Sequence, residues 1–165
     1  MTPLPGRLGG DTVVAWRLDA AVYAAEWQSG EGAFRVGGRW NSKGTRTVYC
    51  SLDPAAAILE VAVHKGFRAL SLVPHVMTSF VIPASLAVKV IAPHDLPSSD
   101  WLRTGLPSAE QQQFGDQLLR DFDIAAIPSA VAQQSWNIIC QSATLIAQRL
   151  AFDQQEFRLD SRLTA

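Results

Sequence analysis

The chain has 165 residues, a length typical of one globular domain and sufficient to bury a hydrophobic core. Its 14 basic and 15 acidic residues give a formal net charge of −1, which argues against nonspecific nucleic-acid binding through a basic surface. A hydrophobic share of 48% with 18% charged residues excludes an intrinsically disordered chain.

Membrane insertion, export and metal binding also lack support in the sequence. No apolar run approaches the roughly 18–20 residues of a membrane-spanning helix, and residues 1–10 lack the features of a secretory signal. Cys50 and Cys140 lie in apolar stretches, and none of the three histidines has a zinc-ligand spacing with another His or Cys. We therefore expect a cytoplasmic protein with two buried cysteines, no membrane contact and no metal.

The first predicted elements alternate between strands and less regular segments. Residues 12–18 are rich in β-branched and aromatic side chains and predict a strand, after which Asp19 is placed to cap a short helix. Residues 29–44 contain five glycines and predict an ordered loop. A short strand is predicted over 47–51.

The next segment predicts a helix with well-marked ends. Asp53 is a favourable N-cap, Pro54 suits the first helical position, and Gly66 ends the helix. Glu60 interrupts an otherwise apolar run in this helix, and a buried carboxylate needs a partner or a function. Alternatively, Asp53, Glu60 and His64 form a polar stripe that faces water. Periodicity leaves both interpretations open.

The C-terminal half predicts a mixed series of shorter elements. They are strands over 77–82 and 86–91, a loop-rich segment over 93–105, a helix over 108–120 capped by Ser108, a strand over 124–127 and an edge strand over 157–163. Because strands and helices mix without strict alternation, the pattern favours an α+β fold in a single domain.

One segment combines positive charge with backbone freedom. Residues 32–52 contain no acidic residue, and glycines at 37, 38 and 44 allow close approach of a ligand to the backbone. The four bases of this segment are Arg35, Arg39, Lys43 and Arg46. Arginine binds phosphate through paired hydrogen bonds, so the segment predicts a site for a small phosphorylated ligand. An ordinary solvated basic loop is the alternative.

Three other polar residues are candidates for a binding cleft. Arg17, on a predicted strand, must face solvent, pair with an acid or line a cleft. Tyr49 is either a core residue or a platform for a ligand, and Ser129 either caps a turn or binds a ligand. The sequence contains no GxSxG elbow and no apparent Cys–His arrangement, so a hydrolase of the familiar nucleophilic classes is unsupported.

Taken together, these residues resemble the RES domain family, which is named for an Arg, a Glu and a Ser. The matching blocks are WRL at 16–18, GGRWNS at 37–42, VY at 48–49, LEV at 59–61, IPSAV at 127–131 and FRLDxRL at 157–163. Ser129, rather than Ser135, matches the family serine because it follows Ile-Pro. The chain keeps Asn137 but lacks the Asn-Pro pair with which the family usually continues.

The resemblance implies a single RES domain over 1–165, with a core over about 12–163. Its fold would be ADP-ribosyltransferase-like, a split β-sheet core flanked by helices. The family degrades NAD⁺ by cleaving the nicotinamide–ribose bond, with water or phosphate as acceptor, and NAD⁺ is the substrate rather than a cofactor. Protein ADP-ribosylation is the known variant.

The resemblance also assigns roles to individual residues. Glu60 would stabilise the positive charge that develops on the ribose, and the catalytic residues are Glu60, Arg39 and Tyr49. Residues expected to bind NAD⁺ are Arg17, Arg39, Asn41, Tyr49 and Ser129. No metal and no cofactor is implied.

Members of the family are toxins of bacterial toxin–antitoxin pairs. The resemblance therefore implies an Xre-family antitoxin as partner and a homodimer within the complex, without direct nucleic-acid binding by this chain. Two alternatives to NAD⁺ degradation remain, a protein ADP-ribosyltransferase and a binding module without catalysis. The missing Asn-Pro pair keeps the second alternative open.

Overall fold

A mixed seven-stranded sheet with helices packed around it forms the framework of the protein. The computed structural model describes residues 13–103 and 105–164. The strands are β1 (Val13–Ala20), β2 (Thr47–Ser51), β3 (His75–Ile82), β4 (Lys89–Val90), β5 (Ile124–Pro128), β6 (Trp136–Gln141) and β7 (Phe152–Phe157). The helices are α1 (Glu31–Val36), α2 (Pro54–Lys65), α3 (Phe67–Leu72), α4 (Ala109–Asp121) and α5 (Ser142–Gln148).

The sheet opens between two of its central strands. The strand order is β4-β5-β6-β2-β1-β3-β7, and β4–β5 is a parallel pair, whereas the other pairs are antiparallel. β1 pairs with β3 along its whole length, but β1 and β2 pair in register only at Trp16 and Ser51. The Arg17 side chain crosses this opening, where its Nη1 donates a 2.8 Å hydrogen bond to the Tyr49 carbonyl. The predicted α+β fold with a split sheet core is confirmed.

Side chains of consecutive residues along β2 and β6 point to opposite faces of the sheet, so they pack in different hydrophobic clusters. Cys50 and Cys140 pack in a cluster with Trp27 and Phe80, whereas Tyr49 packs against a second cluster. That second cluster comprises Trp40, Ile91, Leu96, Leu118, Leu119, Ala125, Ile127 and Ile139. Both cysteines are buried free thiols, as predicted.

The buried thiols are expected to resist modification in the native protein. Burial raises the pKa of the Cys50 thiol to about 12 and that of Cys140 well above its ordinary value. At pH 8 both side chains are then almost entirely protonated, and the thiol is far less reactive than the thiolate. A thiol reagent such as Ellman's should titrate neither cysteine rapidly in native protein and both after denaturation. A rapid phase in native protein would contradict the described packing.

Helix ends that carry local signals were predicted correctly. Asp53 Oδ1 accepts a 2.9 Å hydrogen bond from the Ala56 N–H, and α2 ends at Gly66, whose φ of +78° favours glycine. Ser108 caps α4 in a capping box with Gln111. The strand predictions over 47–51 and 124–127 are also confirmed, the second with one further residue.

Several boundaries differ from the sequence-based prediction. The predicted loop over 29–44 contains α1, whose glycine caps at positions 30 and 37 account for part of its glycine content. Asp19 does not cap the following 3₁₀ turn but lies within β1, which extends to Ala20; residue 12 lies outside the described residues. The strand predicted over 86–91 is reduced to β4, and the loop-rich segment over 93–105 includes two 3₁₀ turns.

The last predicted strand is wrong in position. β7 ends at Phe157, where the prediction began, and residues 161–163 form a 3₁₀ turn. The alternation of β7 is weak because this edge strand exposes most of its side chains, so its pattern lacks a buried face. Elements that were not predicted are α3, β6 and α5.

Gly115 allows α4 to pack against the loop that carries Arg39. A Cβ atom at this position would lie 2.0 Å from the Trp40 carbonyl oxygen, a backbone atom that cannot move independently. We expect Gly115→Ala to destabilise the protein by at least about 1–3 kcal/mol, although alanine favours helices. Gln113→Ala, at an exposed position of the same helix, is the matched control. Urea denaturation measures both; equal stability of the two variants would contradict this packing.

Candidate active site

A cleft of about 700 Å³ opens beside the separation of β1 and β2. Its walls come from β1, β2, α1, α2 and the segment after α1, so residues distant in sequence meet there. Candidate residues that line it are Arg17, Arg39, Tyr49 and Glu60. Asn41 and Ser129 are not among the lining residues and are buried.

Glu60 reaches this cleft from the middle of α2. Its Oε1 atom accepts hydrogen bonds from Ser129 Oγ at 2.8 Å and from Asn137 Nδ2 at 2.6 Å. Within residues 13–103 and 105–164, no group donates to Oε2. Glu60 is half-buried, whereas Asp53 and His64 are exposed, so the three do not form a uniform solvent-facing stripe. The carboxylate is therefore oriented by one oxygen, while the other is available to a ligand.

Ser129 acts as a junction between the backbone and Glu60. Its Oγ accepts hydrogen bonds from the N–H groups of Val131 and Ala132, at 3.1 and 2.9 Å. Because these donors use the lone pairs of Oγ, its single hydrogen is directed to Glu60. The Ser129 N–H in turn donates to the Ser135 carbonyl at 3.1 Å. The structure thus pairs Ser129 with Glu60, as part of the support of the cleft.

Tyr49 presents a ring to the cleft while its hydroxyl is held from behind. The hydroxyl donates to Asn41 Oδ1 at 2.7 Å and accepts from the Trp40 N–H at 3.0 Å. Burial raises the pKa of the phenol above its ordinary value, so Tyr49 stays neutral. A Cβ atom on Gly38 would lie 2.6 Å from this hydroxyl, which explains a glycine there.

Asn41 is fully buried and holds the backbone of the loop after α1 through its side-chain amide. Its Nδ2 group lies within hydrogen-bond distance of three backbone carbonyls, those of Ala33, Ser42 and Thr45. The amide oxygen that remains accepts from Tyr49. All polar groups of the Asn41 side chain therefore have protein partners, and they fix the position of the Tyr49 ring.

The two cleft arginines differ in how far their charge is neutralised. Arg17 forms a two-point ion pair with Asp19, with Nε–Oδ2 and Nη2–Oδ1 distances of 2.8 and 2.6 Å. Burial lowers the pKa of Arg17, but the charge of Asp19, its hydrogen bond to Arg17 and the nearby Cys50 together outweigh burial and leave this pKa above its ordinary value. Arg39 instead donates to the carbonyls of Trp101 and Gly105 and forms no ion pair with an acid in the described part of the chain. Arg39 is therefore the better placed cation for an anionic ligand.

The basic segment does not act as one unit. Arg35 and Arg46 both pair with Glu31, which precedes the acid-free segment in sequence. Lys43 is exposed and does not line the cleft. Of the four bases, only Arg39 lines the cleft. The predicted binding site for a phosphorylated ligand therefore retains one of its four basic residues.

Two residues of the site were not among the predicted site residues. Asn137 contacts Glu60, and Ser51 Oγ donates a 2.8 Å hydrogen bond to Asn137 Oδ1. Asn137 belongs to the family segment that this chain retains in part. For Ser51, the only indication in the sequence is a hydroxyl side chain two residues after Tyr49, on the same predicted strand. Within the described residues, no cluster of three or more His, Cys, Asp or Glu suits a metal, and no helix is long and apolar enough to cross a membrane.

Comparisons with known proteins show which family this chain is similar to. The RES domain family model matches residues 14–160. A protein named Toxin Res from Photorhabdus laumondii is 28% identical over 158 residues, covering 92% of this chain and 97% of the relative. The Prs ADP-ribosylating toxin of a Sphingobium species is 33% identical over 138 residues, covering 80% and 84%.

A solved structure gives a similar result for the fold. The crystal structure of the M. tuberculosis MbcT–MbcA toxin–antitoxin complex contains a chain that superposes with a TM-score of 0.71 at 19% sequence identity. The match covers 89% of this chain and 85% of that one. The sheet and helices described above are therefore an arrangement found in a solved protein.

Proposed function

The chain belongs to the RES domain family, and we propose that it is a toxin enzyme that cleaves the nicotinamide–ribose bond of NAD⁺. The observation that carries this proposal is the Glu60 carboxylate, held through Oε1 and open through Oε2 in a cleft that also contains Arg39. Such an arrangement places a fixed negative charge beside a site that binds an anionic substrate.

The chemistry needs a single carboxylate. When the bond breaks, its electron pair moves to the pyridinium nitrogen, which leaves neutral nicotinamide and positive charge on the ribose. This charge resembles that of glycoside hydrolysis, and a pre-oriented carboxylate stabilises it. No acid is required because the leaving group is cationic beforehand. Water or phosphate then bonds to the ribose carbon. When water attacks, Oε2 of Glu60 accepts the proton that the water oxygen loses, whereas phosphate attacks through an anionic oxygen that carries no proton.

The rest of the cleft fits the rest of the substrate. We assign Arg39 to the pyrophosphate, since its charge is not paired with an acid of the described chain. Arg17 has two N–H bonds beyond those used by Asp19 and Tyr49, and these suit a carbonyl or hydroxyl of the nicotinamide–ribose end. The Tyr49 ring packs against the nicotinamide or its ribose.

Asn41 and Ser129 support the site from beneath. Direct contact of either with NAD⁺ remains a prediction, and their described hydrogen bonds support a positioning role, Asn41 for Tyr49 and Ser129 for Glu60. NAD⁺ is the substrate in this proposal, with no separate cofactor.

The acceptor can be identified with the purified chain. NAD⁺ is incubated with the protein with and without phosphate, and free nicotinamide and the ribose-containing product are separated and identified. ADP-ribose in both conditions assigns water as acceptor, and a phosphorylated product that forms only with phosphate assigns phosphate. NAD⁺ that stays intact with folded protein contradicts the proposed reaction and favours a binding module without catalysis.

Protein ADP-ribosylation is the second candidate. The observation that favours it is the 33% identical relative, which is named as an ADP-ribosylating toxin. NAD⁺ labelled in the adenylate part distinguishes the two. Label that appears on protein in a cell extract supports transfer, whereas label confined to small products supports degradation.

An antitoxin partner follows from the same proposal. The structural relative was solved as a toxin–antitoxin complex, so we propose that a partner protein silences this chain in the cytoplasm. The resemblance adds that this partner is of the Xre family and that the toxin forms a homodimer within the complex. Co-expression and co-purification with an Xre-family antitoxin test the first statement, and the mass of the complex tests the second.

A further inference from the structure

We infer that Ser51 is a positioning residue for Glu60 and acts through the side-chain amide of Asn137. The inference rests on the proposed function for its effect on rate, but its structural part can be tested without activity. Ser51 on β2 and Asn137 on β6 are both buried, and both line the cleft.

Three side chains form a directed chain of hydrogen bonds. Ser51 Oγ donates to Asn137 Oδ1 at 2.8 Å, and Asn137 Nδ2 donates to Glu60 Oε1 at 2.6 Å. An ionised carboxylate only accepts hydrogen bonds, so Asn137 must turn its NH₂ group towards Glu60. That orientation leaves the amide oxygen facing Ser51, inside the protein, where it needs a donor.

Ser51 supplies that donor, and its loss would leave a buried acceptor unpaired. An unpaired buried polar group is costly, and the side chain relieves the cost by turning towards another partner or towards water. In either case the Asn137–Glu60 hydrogen bond weakens, and Glu60 keeps only Ser129 as a fixed donor. Ser51 therefore holds the carboxylate without touching it.

The backbone at Ser51 suits this role because it is held from two sides. Ser51 pairs with Trp16 at the one register position that joins β1 and β2, and it pairs with Asn137 across β2 and β6. The neighbouring Leu52 N–H also donates to the Trp136 carbonyl at 2.9 Å. The hydroxyl is thus fixed at the point from which the sheet opens, directly beside the cleft.

The kinetic test uses Ser51→Ala, Ser51→Thr and a matched control. Glu60 acts on charge that develops in the transition state, so we expect Ser51→Ala to lower kcat about 10- to 100-fold with KM for NAD⁺ changed less than about 3-fold. Ser51→Thr retains the hydroxyl and should restore most of kcat. Ser142→Ala is the control, because Ser142 is also buried and donates to a backbone carbonyl, that of Gln28, but lies outside the cleft.

A double-variant experiment tests whether Ser51 acts on Glu60 through Asn137. If Ser51 acts through Asn137, Ser51→Ala adds little to the loss caused by Asn137→Ala, and the double variant matches the single Asn137 variant. Independent, additive losses would overturn the route through Asn137. Wild-type kcat in a folded Ser51→Ala variant would overturn the positioning role itself. Should Ser51→Ala fail to fold, Ser51→Cys serves in its place, since a thiol is a weak donor.

An NMR measurement separates this inference from the proposed function. The Asn137 side-chain NH₂ resonances are followed in the 17.9 kDa wild-type chain and in the three variants. We expect them to shift in Ser51→Ala and to stay near their wild-type positions in Ser51→Thr and Ser142→Ala. Wild-type protein without NAD⁺ cleavage contradicts only the proposed function, whereas unchanged Asn137 resonances in Ser51→Ala overturn the inference.

Discussion

Glu60→Gln is expected to lower kcat for nicotinamide release from NAD⁺ by at least about 10²- to 10³-fold while the fold survives. The substitution keeps the shape of the side chain, and the amide oxygen of glutamine can still accept from Ser129 and Asn137. What it removes is the negative charge that we propose faces the ribose, together with the proposed proton acceptor at Oε2. The effect should therefore fall on kcat, which is measured by chromatography of nicotinamide over time.

A matched control shows that the loss is specific to the cleft. Glu110 is an exposed glutamate on α4, so Glu110→Gln removes the same charge from the surface. It should retain wild-type kcat, and thermal unfolding should show that both variants fold. Full turnover by the folded Glu60→Gln variant would show that the assigned mechanism is wrong.

Arg39→Ala is expected to raise KM for NAD⁺ about 10- to 100-fold, the effect of losing charge-assisted hydrogen bonds to phosphate. The expectation follows from the pairing of the cleft arginines. Asp19 largely compensates the charge of Arg17, whereas Arg39 donates only to carbonyls among residues 13–103 and 105–164. Steady-state kinetics with NAD⁺ as the varied substrate measure the change.

Lys43→Ala is the control for Arg39, since Lys43 comes from the same segment but lies on the surface outside the cleft. Its KM should equal that of the wild type. An unchanged KM in Arg39→Ala would remove Arg39 from substrate binding, and a loss confined to kcat would move its role from binding the pyrophosphate to the chemical step.

Elements with local signals could be predicted from the sequence. The bounds of α2 follow from Asp53, Pro54 and Gly66, each of which acts within one turn of the helix end. By contrast, α1 is short and is flanked by glycines at both ends, so its composition is typical of a loop. Strand order is set by contacts between segments far apart in the chain, and no local pattern carries that information.

In the candidate site, too, some features could be predicted from the sequence and others depend on contacts between distant segments. Similarity to the family identified Arg39, Tyr49 and Glu60, and the structure brings these three residues to one cleft. The hydrogen bonds that hold Glu60 join residues 69 and 77 positions apart, so no spacing in the sequence reveals them. The Arg17–Asp19 pair is different, because residues two apart on a strand share a face and their opposite charges were visible in the sequence.

The most direct test of NAD⁺ cleavage at Glu60 is a quantitative product balance with folded chain free of any partner protein. Nicotinamide formed and NAD⁺ consumed are measured together over many turnovers, for the wild type and for Glu60→Gln. The account predicts one nicotinamide for each NAD⁺ lost with the wild type and almost none with the variant. Intact NAD⁺ after incubation with folded wild-type protein, or equal release by both proteins, would contradict it.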